Sequence, residues 1–122
     1  MAMNPEVKKQ WVEALRSGEY EQTDCALHDE RGFCCLGVLC DLHAKATGGK
    51  WDESHYERRY QGVAALLPPL VCEWAQLPYV SHYDPDGTDV DITKENKTMR
   101  LATLNDDGVS FTKIADYIDE CL

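Results

Sequence analysis

The stretch FCCLGVLCDLHAKATGG, residues 33–49, decides the fold of this chain. Its apolar residues surround most of the circumference of a helix, and a helix of that kind is buried on all sides. Gly48 and Gly49 end the pattern. We therefore predict a central helix over residues 35–46, around which the rest of the chain packs. Gly37 costs about 1 kcal/mol inside a helix, so we interpret it as a position where another backbone comes close.

Four further helices are predicted around this central one, from capping residues and from apolar spacings of three and four. Asn4 is the expected N-cap of the first helix, with Pro5 at its first position. The four predicted helices cover residues 5–17, 68–77, 99–104 and 110–122.

Two segments have strand patterns. Residues 25–28 and 33–34 flank a polar turn and predict a small hairpin. Residues 84–87 predict a second turn, followed by a short strand with Val90 and Ile92, and the first hairpin is the pairing partner considered for that strand. The patterns together predict an α+β fold: one small domain over residues 1–122, with about four to five helices around the central apolar helix and a small antiparallel sheet or hairpin.

The charge of the chain limits its function. It has 22 acidic and 12 basic residues, a formal charge of -10, which argues against direct binding of nucleic acid through a basic face. Such a charge keeps a small protein soluble, and it also favours a basic partner. We expect the partner-binding residues among six aspartates: Asp84, Asp86, Asp89, Asp91, Asp106 and Asp107.

The location of the protein is predicted from what the chain lacks. No apolar run reaches the roughly 20 residues that a membrane-spanning helix needs, and the first residues have no apolar signal region. We expect a cytoplasmic protein without membrane contact. In that reducing setting Cys34, Cys35 and Cys40, which lie in the apolar run, are expected to be free thiols in the core.

A cluster of aromatic and basic residues follows the central helix: Trp51, Tyr56, Arg58, Arg59 and Tyr60. Aromatic rings can stack on a base, and an arginine can pair with a phosphate. The cluster is therefore the candidate site for a nucleotide-like small molecule. The alternative is a surface loop that its aromatic residues anchor to the core.

Cysteine and histidine suggest two weaker possibilities. Cys25, His28, Cys40 and His43 are a ligand set that zinc accepts, although their order differs from the usual structural zinc motif. Cys34 or Cys35 at the start of the central helix could be a nucleophile with His28 as its base. No pattern indicates an oxyanion hole or an orienting acid. We therefore expect no enzymatic activity and no cofactor.

Four motifs carry a resemblance that spans nearly the whole chain. They are WVEALRSG (11–18), FCCLGVLCDL (33–42), LPPLVCEWAQL (67–77) and LNDDGVSFTKIAD (104–116). The chain resembles a family of small acidic proteins encoded by bacteriophages and prophages. The resemblance implies an accessory role, such as blocking a host antiviral system by binding.

We consider three alternative functions, in decreasing order of preference. The first is a non-enzymatic phage protein that inhibits a host defence component through acidic surface contacts. The second is a sponge that sequesters a nucleotide-derived immune signalling molecule. The third is a small zinc-binding or thiol-dependent enzyme.

Overall fold

Five helices and two short hairpins make up the part of the chain that the computed structural model describes, residues 2–53, 56–78, 80 and 87–122. The helices are α1 (Pro5–Ser17), α2 (Cys35–Thr47), α3 (Pro69–Ala75), α4 (Leu101–Asp106) and α5 (Phe111–Cys121). The strands are β1 (His28–Asp29), β2 (Gly32–Phe33), β3 (Asp91–Lys94) and β4 (Lys97–Arg100). The predicted α+β class is confirmed.

The first helix begins and ends where the sequence predicts. The side chain of Asn4 accepts hydrogen bonds from the N–H groups of Glu6 and Val7, and Pro5 occupies the first helical position. Gly18 adopts the left-handed conformation with φ +78° and ends the helix. Helix α1 packs against both α2 and α5.

The apolar helix α2 is the centre of the fold. Leu36, Val38, Leu39 and Cys40 have no exposed surface. A Cβ added at Gly37 would overlap the backbone carbonyl of Leu27, so only glycine allows this close approach. The interpretation of Gly37 as a contact with another backbone is confirmed.

The two hairpins form separate sheets, so the pairing considered for the second strand is wrong. In the first, His28 pairs with Phe33 and Asp29 with Gly32. In the second, β3 pairs with β4 across a turn at Glu95 and Asn96, whose φ angles are 54° and 64°. Two consecutive left-handed residues make the tight turn that joins neighbouring strands. Strand β3 therefore pairs with the neighbouring β4 and not with the distant first hairpin.

The boundaries of α3 and α4 differ from those predicted. Met99 belongs to β4, where it pairs with Ile92, and α4 begins only at Leu101. Helix α3 ends at Ala75 because Gln76 turns into the left-handed conformation. No helix among the described residues is both long and apolar enough to cross a membrane.

Candidate functional site: an acidic face

The segment with the predicted ligand-binding cluster is fastened to the first hairpin by backbone hydrogen bonds. Arg58 N–H donates to the carbonyl of His28 at 2.9 Å. Asp52 and Arg59 exchange two such bonds, of 2.8 and 3.0 Å. The segment also folds back on itself, where the Tyr60 N–H donates to the Val63 carbonyl at 2.9 Å.

Two aromatic residues of this cluster anchor the segment to α2. Tyr60 is fully buried, and its hydroxyl lies 2.6 Å from Nδ1 of His43. Trp51 is half-buried, packs 5.0 Å from the Tyr60 ring and donates from Nε1 to Asp41 at 3.2 Å. Both side chains therefore have structural partners.

The basic and exposed members of the cluster lie at the surface. Arg58 donates to the Asp29 carbonyl at 2.9 Å and pairs with Glu53 at 3.2 Å. Tyr56 and Arg59 are exposed. The arrangement thus matches the anchored-loop alternative for Trp51, Tyr60 and Arg58, while nucleotide binding stays a prediction.

Two of the predicted partner-binding aspartates have structural roles. Asp89 is buried, and its Oδ1 accepts hydrogen bonds from Val90 N–H at 2.8 Å and from Ala102 N–H at 3.0 Å. This corrects its place among the surface contacts, because a buried carboxylate is closed to a partner. Asp91 is half-buried beside Arg100, 3.8 Å across the second hairpin. Asp84 and Asp86 lie outside the described residues.

The remaining two aspartates are exposed at the C-terminal end of α4. Asp106 is the last residue of that helix and Asp107 is its C-cap. The helix dipole places partial negative charge at this end and therefore disfavours carboxylates there. The dipole of α4 therefore does not account for two carboxylates at this end.

A distant segment, residues 21–25, is hydrogen-bonded to this end of α4. The Cys25 N–H donates to Oδ1 of Asp106 at 2.9 Å. The buried Asn105 side chain donates to the Thr23 carbonyl at 2.7 Å. Gln22 reaches the Val109 carbonyl beyond the helix at 2.8 Å. These bonds place the two segments side by side.

The result is a surface that we call the acidic face: Asp24 from one segment, and Asp106 and Asp107 from the other. Arg31 pairs with Asp24 at 3.3 Å but also with Asp29 at 3.1 Å. The pKa of the exposed Cys25 thiol is raised, chiefly by the negative charge of Asp106. This direction is the one that neighbouring carboxylates produce.

Two of the three carboxylates of this face, Asp106 and Asp107, are among the predicted partner-binding residues. Asp24 joins them only through the contact between Cys25 and Asp106, which spans 81 residues. Periodicity within a short window carries no information about such a pairing. The only local signal is the run of carboxylates around Cys25.

The cysteines of the zinc and thiol alternatives differ in their burial. Burial raises the pKa of Cys34 to about 12 and that of Cys35 well above its ordinary value. Cys25 is exposed whereas Cys40 is completely buried. Within the described ranges, no group of three or more His, Cys, Asp or Glu side chains is placed to hold a metal ion. This arrangement gives no support to the zinc and thiol alternatives.

The predicted base and the second histidine have other contacts. His28 stacks on Phe33 with ring centroids 3.7 Å apart, and its Nδ1 lies 2.7 Å from the Gly32 carbonyl. That carbonyl can only accept, so Nδ1 is the protonated nitrogen. His43 is buried against Tyr60. Both rings therefore support the fold.

A family model described as a domain of unknown function (DUF8296) matches residues 3–122. No curated protein and no solved structure matches the chain.

Proposed function

We propose that this chain, which belongs to the family described as a domain of unknown function (DUF8296), is a non-enzymatic binding protein whose acidic face occupies a basic surface of a partner protein. One observation carries the proposal: segment 21–25 is hydrogen-bonded to the end of α4, which gathers carboxylates from two distant parts of the chain. A concentrated negative potential attracts basic partners and speeds their association.

The electrostatics of the acidic face support a role in binding. Asp106 and Asp107 are placed where the dipole of α4 opposes them, and Asp106 raises the pKa of the neighbouring Cys25 thiol. A positively charged partner would relieve the repulsion on binding.

The biological setting that we propose is inhibition of a host antiviral defence component in the cytoplasm of a bacterium. The motifs shared with phage-encoded proteins support this setting, and so does the formal charge of -10. Carboxylates on a folded surface can occupy a groove that otherwise binds the phosphates of nucleic acid. Such an inhibitor needs affinity rather than turnover.

The nucleotide-sponge alternative has less support from the geometry. Tyr60 is fully buried, so its ring offers no face to a base. Arg58 is engaged by Glu53 and by the Asp29 carbonyl. A nucleotide would have to displace these contacts before Arg58 could bind its phosphate.

A capture experiment with two charge-matched variants tests the proposal. The face variant carries Asp24→Asn, Asp106→Asn and Asp107→Asn; each asparagine keeps an acceptor oxygen for the local hydrogen bonds. The control variant carries Glu13→Gln, Glu57→Gln and Glu95→Gln, three exposed positions away from the face. Each immobilised protein is incubated with a bacterial lysate at low salt, and the captured proteins are identified by mass spectrometry.

The expected result is a basic protein that the wild type and the control variant capture and the face variant does not. That protein should elute at about 1 M salt, where the Debye length is only about 3 Å. Equal capture by all three proteins, or capture that resists high salt, would overturn the proposal. The same variants, expressed in a bacterium with an intact defence system, show whether the face also affects phage plating.

A further inference from the structure

A cleft of about 590 Å³ lies at the C-terminal end of α2. Its lining includes Thr47 and Gly48 from the end of that helix, and Glu73 and Trp74 from α3. The acidic face contacts the other end of α2, where the Asn105 side chain accepts from the Cys35 N–H. A helix of 13 residues is about 20 Å long, so the cleft and the acidic face are separate places on the molecule.

The cleft is electrostatically negative. The C-terminal end of α2 contributes partial negative charge from its last carbonyl groups. Gly48 closes the helix in the left-handed conformation and donates its N–H to the Ala44 carbonyl at 2.9 Å. Glu73 is exposed and adds a full negative charge. The described lining residues include no lysine or arginine.

His43, the one lining residue that could become positive, is kept neutral. It is buried, its Nδ1 lies 2.6 Å from the Tyr60 hydroxyl, and burial lowers its pKa. A lowered pKa means that the imidazole stays uncharged at neutral pH. Among the described residues that line it, the cleft therefore has negative charge and no compensating cation.

The aromatic wall of the cleft is held in a fixed orientation. Trp74 is half-buried, and its ring centroid lies 5.1 Å from that of His43, at an interplanar angle of 86°. Leu70 is 49% exposed on the same helix and also lines the cleft. Indole is the side chain that binds cations best through its face.

The two glycines at the end of α2 are required by the fold. A Cβ added at Gly49 would overlap the hydroxyl of the buried Tyr60. Gly48 ends α2 with a φ angle of 77°, which side chains rarely tolerate. The backbone at this edge of the cleft is therefore fixed by contacts outside the cleft.

We propose that this cleft binds a guanidinium group, with Glu73 pairing with its N–H groups, Trp74 stacking against its plane and Leu70 contacting its aliphatic stem. A guanidinium is planar, stacks on aromatic rings and forms two parallel hydrogen bonds with a carboxylate. The group can be part of a small molecule or of an arginine side chain in a protein. The proposal is independent of the acidic face.

Titration with model compounds tests the proposal. The probes are agmatine, a blocked tripeptide with a central arginine, and the same tripeptide with lysine. Binding is measured by NMR from the chemical shifts of the backbone and indole N–H groups. Because one small cation is held by few contacts, we expect a Kd on the order of 1 mM. The shifts should concentrate on Glu73, Trp74 and Gly48, and the lysine peptide should bind several-fold more weakly.

Three variants provide the controls: Glu73→Gln, Trp74→Phe and, at an exposed site outside the cleft, Glu57→Gln. We expect Glu73→Gln to raise the Kd about tenfold, the equivalent of 1.4 kcal/mol, and Glu57→Gln to leave it unchanged. Trp74→Phe keeps an aromatic ring at this position while weakening the cation contact. Tighter binding of agmatine indicates a small-molecule ligand, and tighter binding of the arginine peptide indicates a protein. Absence of saturable binding, or full binding by Glu73→Gln, would overturn the proposal.

Discussion

The backbone N–H of Cys25 donates a 2.9 Å hydrogen bond to the side-chain carboxylate of Asp106, 81 residues further along the chain. This contact joins a loop before the first hairpin to the end of α4. It also places an exposed thiol beside the carboxylates of the acidic face. Cys25 is therefore a natural reporter of the potential at that surface.

Alkylation of Cys25 should depend on the charge of Asp106. The thiolate is the reactive form, and Asp106 raises the Cys25 pKa, so Asp106→Asn is expected to lower that pKa and speed the reaction. The measurement is the rate of iodoacetamide modification against pH, read by peptide mass spectrometry. An unchanged rate profile would show that Asp106 does not act on Cys25.

The buried cysteines provide the internal control for that experiment. Cys34, Cys35 and Cys40 are completely buried or nearly so, and burial raises the pKa of each thiol. They should stay unmodified in the folded protein at a pH where Cys25 reacts, and react once urea unfolds the chain.

Asn105 should be essential to the support of the acidic face. Its buried amide accepts from the Cys35 N–H at 3.0 Å and from Gln22 at 3.1 Å, and donates to the Thr23 carbonyl at 2.7 Å. Asn105→Ala leaves buried partners unsatisfied, so the free energy of unfolding should fall by about 2–4 kcal/mol. Urea denaturation measures this change.

Thr103→Ala, at an exposed position on the same helix, is the matched control, and its effect should stay within about 0.5 kcal/mol. Hydrogen exchange separates global from local effects: in Asn105→Ala, the amides of segment 21–25 should lose protection first. If both variants were equally stable, the amide of Asn105 would not hold the segment in place.

Gly37→Ala should destabilise the protein although alanine favours helices. An added methyl group would overlap the Leu27 carbonyl, and overpacking of this kind costs about 1–3 kcal/mol. Helix propensity alone predicts the opposite, a gain of about 1 kcal/mol. The sign of the change in thermal or urea stability therefore tests the close approach directly, and a stabilised Gly37→Ala variant would contradict it.

Asp89 should make stability fall as the pH rises. Burial raises the folded-state pKa of Asp89 above the ordinary value of 3.8, against the opposing effect of the hydrogen bonds from Ala102 and Val90. The folded state thus holds this proton to a higher pH than the unfolded chain does. The stability contributed by protonated Asp89 is fully present below pH 3.8 and is lost as the pH rises through the folded-state pKa.

Two variants of Asp89 distinguish its charge from its hydrogen bonds. Asp89→Asn keeps an acceptor for Val90 and Ala102 without a charge, so its stability relative to the wild type should increase as the pH rises from 3.8 toward neutral. Asp89→Ala removes the charge and the acceptor together, so it should be about 1–3 kcal/mol less stable than Asp89→Asn throughout. Urea denaturation over that pH range measures the free energy of unfolding of both variants. If the difference in this free energy between Asp89→Asn and the wild type stayed constant with pH, the charge of Asp89 would have no effect on stability.

Local patterns predicted the helices because capping and periodicity act over a few residues. The Asn4 cap, the apolar circumference of α2 and the Ser110 cap of α5 all lie where the sequence indicates. The second hairpin was harder to predict. In so short a segment, the spacing of apolar residues around Ile92 and Met99 fits a helix as well as a strand. The pairing of Ile92 with Met99 across β3 and β4 makes both residues part of strands.

The site was predictable only in part, because its residues meet through contacts between distant segments. Asp89 has the same side chain as Asp106, but the fold buries one and exposes the other. Tyr60 and Trp51 resembled a ligand-binding pair because aromatic rings serve both recognition and packing. Burial distinguishes an aromatic ring that packs in the core from one that can bind a ligand. Burial depends on the tertiary structure and cannot be read from composition.

Protection of Cys25 by a bound partner is the most direct test of the acidic face. The protein captured from the lysate is added back, and the alkylation rate of Cys25 is compared with that of a cysteine introduced by Glu57→Cys, an exposed site elsewhere on the surface. The account predicts that the partner slows alkylation of Cys25 at low salt, leaves the introduced cysteine reactive and gives no protection in the face variant. Protection of the introduced cysteine with Cys25 fully reactive would contradict it.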